Sequence, residues 1–149
     1  MNHRSALAGI CAAAMFAGTV AAQGTRRYID PRTAADTTAL PFSGGVLVGN
    51  TLYLAGKIGL TEDRRVPATA AEEARLVLND VKATLAAAGM SMDDLVSVQI
   101  FCSDVVHYDA FNRVYRTYFT KEFPARAFLG AGTLLFGARF EVQAIAVRR

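Results

Sequence analysis

The chain has 149 residues, 52% of them hydrophobic and 19% charged, which excludes a disordered chain and fits one domain with a real core. Lys and Arg number 16 against 13 Asp and Glu, a formal charge of +3 spread too evenly to mark a nucleic-acid surface. Two Cys exclude a disulfide-dense scaffold.

The totals mix two segments. Met1 to Ser5 is short and polar and carries His3 and Arg4; Ala6 to Val20 is almost wholly apolar. Val20-Ala21-Ala22-Gln23 then puts small residues one and three places before a cut after Ala22. Together these read as a cleaved secretory signal peptide over residues 1–22, so a periplasmic or secreted location is expected. The apolar run is short of the roughly 20 residues a membrane span needs. Cys11 is a poor lipoprotein site, because Ile10 precedes it where a small residue is wanted. Removing 22 of 149 residues leaves 127. Losing Arg4 takes the formal charge from +3 to +2, and losing Cys11 leaves Cys102 alone. Cys102 sits in an alternating apolar run and is expected to be a small buried hydrophobe. No other apolar stretch is long enough to span a membrane.

Residues 23–39 are polar and aperiodic, and predict a linker or loosely docked arm. Residues 40–149 form the predicted domain. Phe42 to Val48 and Thr51 to Ala55, around Gly49-Asn50, read as a β-hairpin, with Gly44-Gly45 expected to mark a bulge. Thr69 with Glu72 forms a capping box for a helix reaching Ala88, with Gly89 as its C-cap. Ala74, Val77, Leu78, Val81 and Leu85 make its apolar stripe. Val96, Val98, Ile100 and Cys102 alternate as a strand. Phe111, Val114, Tyr115 and Tyr118 mark a second helix. Ala125–Gly130 and Phe140–Val147 read as closing strands, joined by a glycine-rich link. The order β-β-α-β-α-β-β predicts an α+β fold, a mixed sheet with two helices on one face. Nothing in the chain covers the other face, so association with further copies is expected.

Chemistry-bearing residues are few. His107 is the only histidine past the signal, and one Cys with one His makes an N/S-ligated metal improbable. Glycine-rich nucleotide motifs and a nucleophile elbow are absent, and His107 reads as a solvated loop residue. Arg126, in Phe123-Pro124-Ala125-Arg126, has no packing reason to stand among Ala, Phe, Leu and Gly. It reads either as a carboxylate grip or as a structural or snorkelling arginine. Glu141 shares one strand face with Gln143 and Ile145, opposite Val142, Ala144 and Ala146. It reads as an exposed edge charge or as the holder of a water in a cleft.

Four ordered stretches now resemble the RidA/YjgF family of small trimeric proteins. They are Leu47 to Gly59, Phe111 to Tyr115, Phe123 to Arg126 and Glu141 to Val147. The resemblance covers roughly Leu40 to Arg149. It implies a chorismate-mutase-like fold and a homotrimer whose clefts form between subunits. It also implies hydrolysis of reactive 2-imino acids, or their enamine tautomers, to 2-keto acids and ammonia. On that resemblance Arg126 clamps the substrate carboxylate and Glu141 positions the attacking water. Asn112, Gly56, Phe128 and Phe42 fall on the substrate-binding positions. A protonated imine is already an electrophile, so no metal or cofactor is expected.

This chain departs from the family pattern in ways that make the pocket less polar. Phe42 stands where the family carries a tyrosine, and Ala55 where it carries a serine. Ala127 and Phe128 follow the arginine, Leu135 stands near a missing proline, and Gln143 replaces a second acid. A non-catalytic module that binds small carboxylates through Arg126 is the alternative reading. The family's older endoribonuclease label fits poorly with the low charge, and nucleic acid is not an expected partner.

Overall fold

The computed structural model describes residues 25–30, 38 and 40–149. The predicted signal segment, 1–22, lies outside the described residues. Its elements in chain order are β1 (Arg26–Ile29), β2 (Gly45–Val48), β3 (Thr51–Ile58), α1 (Ala70–Ala87), β4 (Leu95–Cys102), α2 (Tyr108–Tyr115), β5 (Ala125–Gly130) and β6 (Phe140–Val147). Among the described residues, no helix is long and apolar enough to cross a membrane.

One six-stranded sheet runs β1-β2-β3-β6-β4-β5. Every pairing is antiparallel except β4 with β5, which α2 connects as a crossover. The sheet is therefore mixed, and the fold class is α+β as expected. Both helices pack on one face. Val77, Leu78, Val81 and Leu85 of α1 and Phe111 and Val114 of α2 meet Leu52, Leu54, Val98, Ile100, Val142 and Ala144 from the strands. Each such buried side chain contributes about 1.5–3 kcal/mol. Cys102 is fully buried among them and free, as expected.

The capping box of α1 is present: Glu72 N–H donates to Thr69 Oγ1, and Thr69 N–H to Glu72 Oε2, both at 3.2 Å. At the far end Gly89, at φ +74°, stands one place past the cap. Its N–H donates to Ala86 O and that of Met90 to Leu85 O, each at 2.9 Å. Arg27 and Arg148 add guanidinium donors to Ala88 O at 2.9 and 2.7 Å. Cations at a helix C-terminus complement its dipole.

Two expectations need correction and one is narrowed. The segment read as a linker or loosely docked arm carries a docked strand, β1, which pairs with β2 along the sheet edge and buries Ile29. A four-residue edge strand is held by backbone hydrogen bonds and needs no apolar periodicity, so the pattern does not show it. Gly44-Gly45 is not a bulge, for β2 and β3 stay in register there, and the irregularity lies in β3 between Leu54 and Lys57 against β6. Those glycines serve close approach: a Cβ at Gly44 would stand 3.1 Å from Asp30 Cβ, and one at Gly45 3.1 Å from Tyr53 O. His107 is in a short 3-10 turn, half-buried, with its ring edge-on to Phe140 at 6.1 Å.

Candidate active site

Arg126 enters from β5, level with Val98 of β4. Val98 faces the core, so Arg126 projects on the helix side, toward α2. There its Nη1 donates to Asn112 Oδ1 at 2.7 Å. Its Cζ lies 4.8 Å from the Tyr115 ring centroid, 5.8 Å from that of Tyr108 and 5.9 Å from that of Phe128. These contacts fix the guanidinium through one neutral acceptor and three ring faces, worth about 0.5–2 kcal/mol per ring. Among the described residues, no carboxylate pairs with Arg126. The structural ion-pair reading of this arginine finds no partner among the described residues. A half-buried guanidinium with its charge uncompensated is a ready receptor for an anion. The cavity beside it, about 220 Å³, is lined by Tyr108, Asn112, Tyr115, Arg116, Phe123, Pro124 and Arg126.

Tyr108 and Tyr115 are ring platforms that the sequence reading does not single out as site residues. The signal was present: they stand four before and three after Asn112, on the same face of α2. Tyr115 also carries a buried hydroxyl with no hydrogen-bond partner among the described residues. Burial pushes its pKa up to about 12, against the opposing pull of the Arg126 charge.

Glu141 stands elsewhere. It is level with Phe101 of β4 and Ile58 of β3. Phe101 and Val98 are three apart, so Glu141 and Arg126 project from opposite faces of the sheet. Glu141 lines a second concavity, about 720 Å³, with Phe42, Ala55, Gly56, Lys57, Leu135 and Phe136 among its walls. A Cβ at Gly56 would overlap the Glu141 carboxylate, so only glycine leaves the carboxylate where it is. Lys57 is occupied by Asp80, Nζ to Oδ1 3.2 Å. The predicted residues thus form two groups, Arg126, Asn112 and Phe128 on one side and Glu141, Gly56 and Phe42 on the other. Gln143 lines another concavity, about 160 Å³, on the uncovered face with Tyr53, Ser97, Gln99 and Ile145.

Glu73 is a buried acid that the helical stripe hides. It is fully buried and accepts from the backbone N–H of Arg139 at 2.6 Å, from that of Phe140 at 2.9 Å, and from Arg139 Nη1 at 2.8 Å. It ties α1 to the entrance of β6, immediately before Glu141. Three donors satisfy a charge that burial would otherwise make costly.

The sequence matches the family described as Endoribonuclease L-PSP over residues 32–148. The chain belongs to this family, which includes the RidA/YjgF proteins. It is 36% identical over 110 residues to the 2-iminobutanoate/2-iminopropanoate deaminase of Capra hircus, covering 72% of this chain and 80% of that protein. Similarity to Protein HMF1 of Saccharomyces cerevisiae is 35% over 117 residues, covering 78% and 91%. Among solved RidA/YjgF structures, the YjgF gene product of E. coli superposes with a TM-score of 0.70 at 35% identity, covering 73% and 89%. E. coli TdcF with bound serine gives 0.71 at 30% identity, covering 74% and 91%. Imine deamination is thus an activity found within the family, and one relative holds a small amino acid.

Proposed function

We propose that this protein hydrolyses 2-imino acids to 2-keto acids and ammonia at a site shared by two copies of the chain. The observation that carries this reading is Arg126, a guanidinium fixed by Asn112 and ring faces with no carboxylate partner among the described residues. The deaminase relatives support it. Arg126 clamps the substrate carboxylate through paired N–H donors. Glu141 holds a water against C2 of the protonated imine. The water oxygen bonds to C2 as the C=N π pair moves onto nitrogen, and Glu141 takes the proton released. Glu141 returns that proton to nitrogen and takes the carbinolamine hydroxyl proton as C2=O forms, the C–N bond breaks and ammonia leaves. Orientation and proton transfer supply the acceleration.

Arg126 and Glu141 lie on opposite faces of one sheet, so one copy cannot present both to one substrate. The proposed site places Arg126, Asn112 and Phe128 of one copy against Glu141, Gly56 and Phe42 of another. A homotrimer with three such clefts fits the family resemblance. The uncovered sheet face, where Tyr53, Val96 and Gln143 are exposed, suits burial in that assembly. We further propose export, with cleavage after Ala22. Amino-terminal sequencing of the fractionated protein should then begin at Gln23.

The test mixes purified protein with 2-iminopropionate or 2-iminobutyrate generated in situ. Keto-acid release faster than in buffer, lost in Arg126→Ala, is the expected result. Release no faster than in buffer refutes the enzyme. Saturable keto-acid binding without turnover would instead establish the binding module.

A further inference from the structure

We propose that the Arg126 cleft is suited to imino acids bearing a second carboxylate, and that Arg116 binds this second group. The inference rests on the reading that Arg126 takes a 2-imino acid. It starts from charge. The seven residues around the cleft include two guanidiniums and no acid. Among the described residues, Arg126 has only Asn112 and ring faces for partners. Arg116 has no hydrogen-bond or ion-pair partner among the described residues. A monocarboxylate would compensate one of these charges and leave the other. A dicarboxylate compensates both.

Geometry points the same way. Arg116 directly follows α2, four residues after Asn112. Four residues rise about 6 Å along a helix and return to the same face. Asn112 holds Arg126 at 2.7 Å. Arg116, Asn112 and Arg126 line one cavity of about 220 Å³, so a single bound molecule can meet both guanidiniums. The walls between them are the rings of Tyr108, Tyr115 and Phe123. The ring walls thin the water around the half-buried Arg126, while Arg116 is exposed at the rim, where an entering anion can reach it. An imino acid with an aromatic side chain would use those rings but leave Arg116 unpaired, which makes it the poorer fit.

The test compares 2-iminosuccinate and 2-iminoglutarate with 2-iminobutyrate, each generated in situ, on the purified full chain. The expected result is a kcat/KM about fivefold or more higher for the diacids at low salt. That preference should shrink as ionic strength rises. Arg116→Gln should abolish the preference chiefly by raising KM for the diacids, and Arg116→Lys should restore part of it. Equal kcat/KM for all three in the wild type, or an equal fall for all three in Arg116→Gln, overturns the proposal. If no imine is turned over, the deaminase reading fails separately, and calorimetry with 2-oxoglutarate and 2-oxobutyrate decides the second carboxylate. Tighter diacid binding that Arg116→Gln removes supports the proposal, and equal binding of the two keto acids overturns it.

Discussion

Asn112 Oδ1 accepts from Arg126 Nη1 at 2.7 Å, and this bond joins the middle of α2 to the edge strand β5. A neutral amide orients the guanidinium without neutralising it. Asn112→Asp would keep the hydrogen bond and add a charge that competes with the substrate carboxylate. Steady-state kinetics should show KM rising about tenfold with thermal stability unchanged or higher. Arg126→Ala should lose about 100-fold or more in kcat/KM. An unchanged KM in Asn112→Asp would mean that Arg126 does not meet the carboxylate.

Two inactive variants should restore each other. In the proposed site Arg126 and Glu141 come from different copies, so Arg126→Ala and Glu141→Gln each retain one intact half. Unfolded together and refolded as a mixture, they should regain roughly a quarter of wild-type activity by random assembly. Light scattering should report a mass of three chains. No recovery from a mixture that has exchanged subunits would refute the shared site.

Gly56 is tied to Glu141 by space. A methyl group there overlaps the carboxylate, which must swing away. The far end of a flexible side chain can move, so Gly56→Ala should fold with a melting temperature within a few degrees of wild type. Its kcat should fall about tenfold or more, because the proposed water loses its holder.

Glu73 reports on stability. Glu73→Ala removes an anion that receives two backbone N–H groups and the Arg139 guanidinium. The two backbone N–H groups would lose their acceptor, while the Arg139 guanidinium keeps Pro67 O and Ala68 O. Chemical denaturation should show a loss of about 3–5 kcal/mol.

Tyr115 should make stability fall in alkali. Its folded-state pKa is pushed up to about 12, from 10.0, chiefly by burial. Between those values the folded chain keeps a proton that the unfolded chain has released. The stability it contributes is therefore whole below pH 10 and is lost as pH rises toward 12. Denaturant titrations at pH 9 and pH 11 should show a decline in wild type that is shallower in Tyr115→Phe, by up to about 1.4 kcal/mol per pH unit. At neutral pH the same variant, freed of an unpaired buried hydroxyl, should be as stable as wild type or more so.

Local chemistry made much of the fold legible. The capping box at Thr69, the glycine stop at Gly89 and the alternation of β4 and β6 each act within a few residues, so a linear reading captures them. Arg126 and Glu141 stood out as candidates because each is a charge in an apolar strand, and Asn112 became one through the resemblance of its flanking stretch. β1 was not, because an edge strand is held by its neighbour's backbone and Ile29 alone carries its burial. Nor was Glu73, whose position at the start of an amphipathic helix looks solvated until β6 closes over it.

The sequence by itself determined the two helices and the closing strands, and it picked out Arg126 and Glu141 as candidate site residues. Only the tertiary structure decided how those residues are grouped. Strand order β6-β4-β5 and the two-residue pleat put Arg126 on the helix side and Glu141 on the other. Which face a strand residue occupies depends on register against its neighbours, and register is set by long-range hydrogen bonds that no local pattern records.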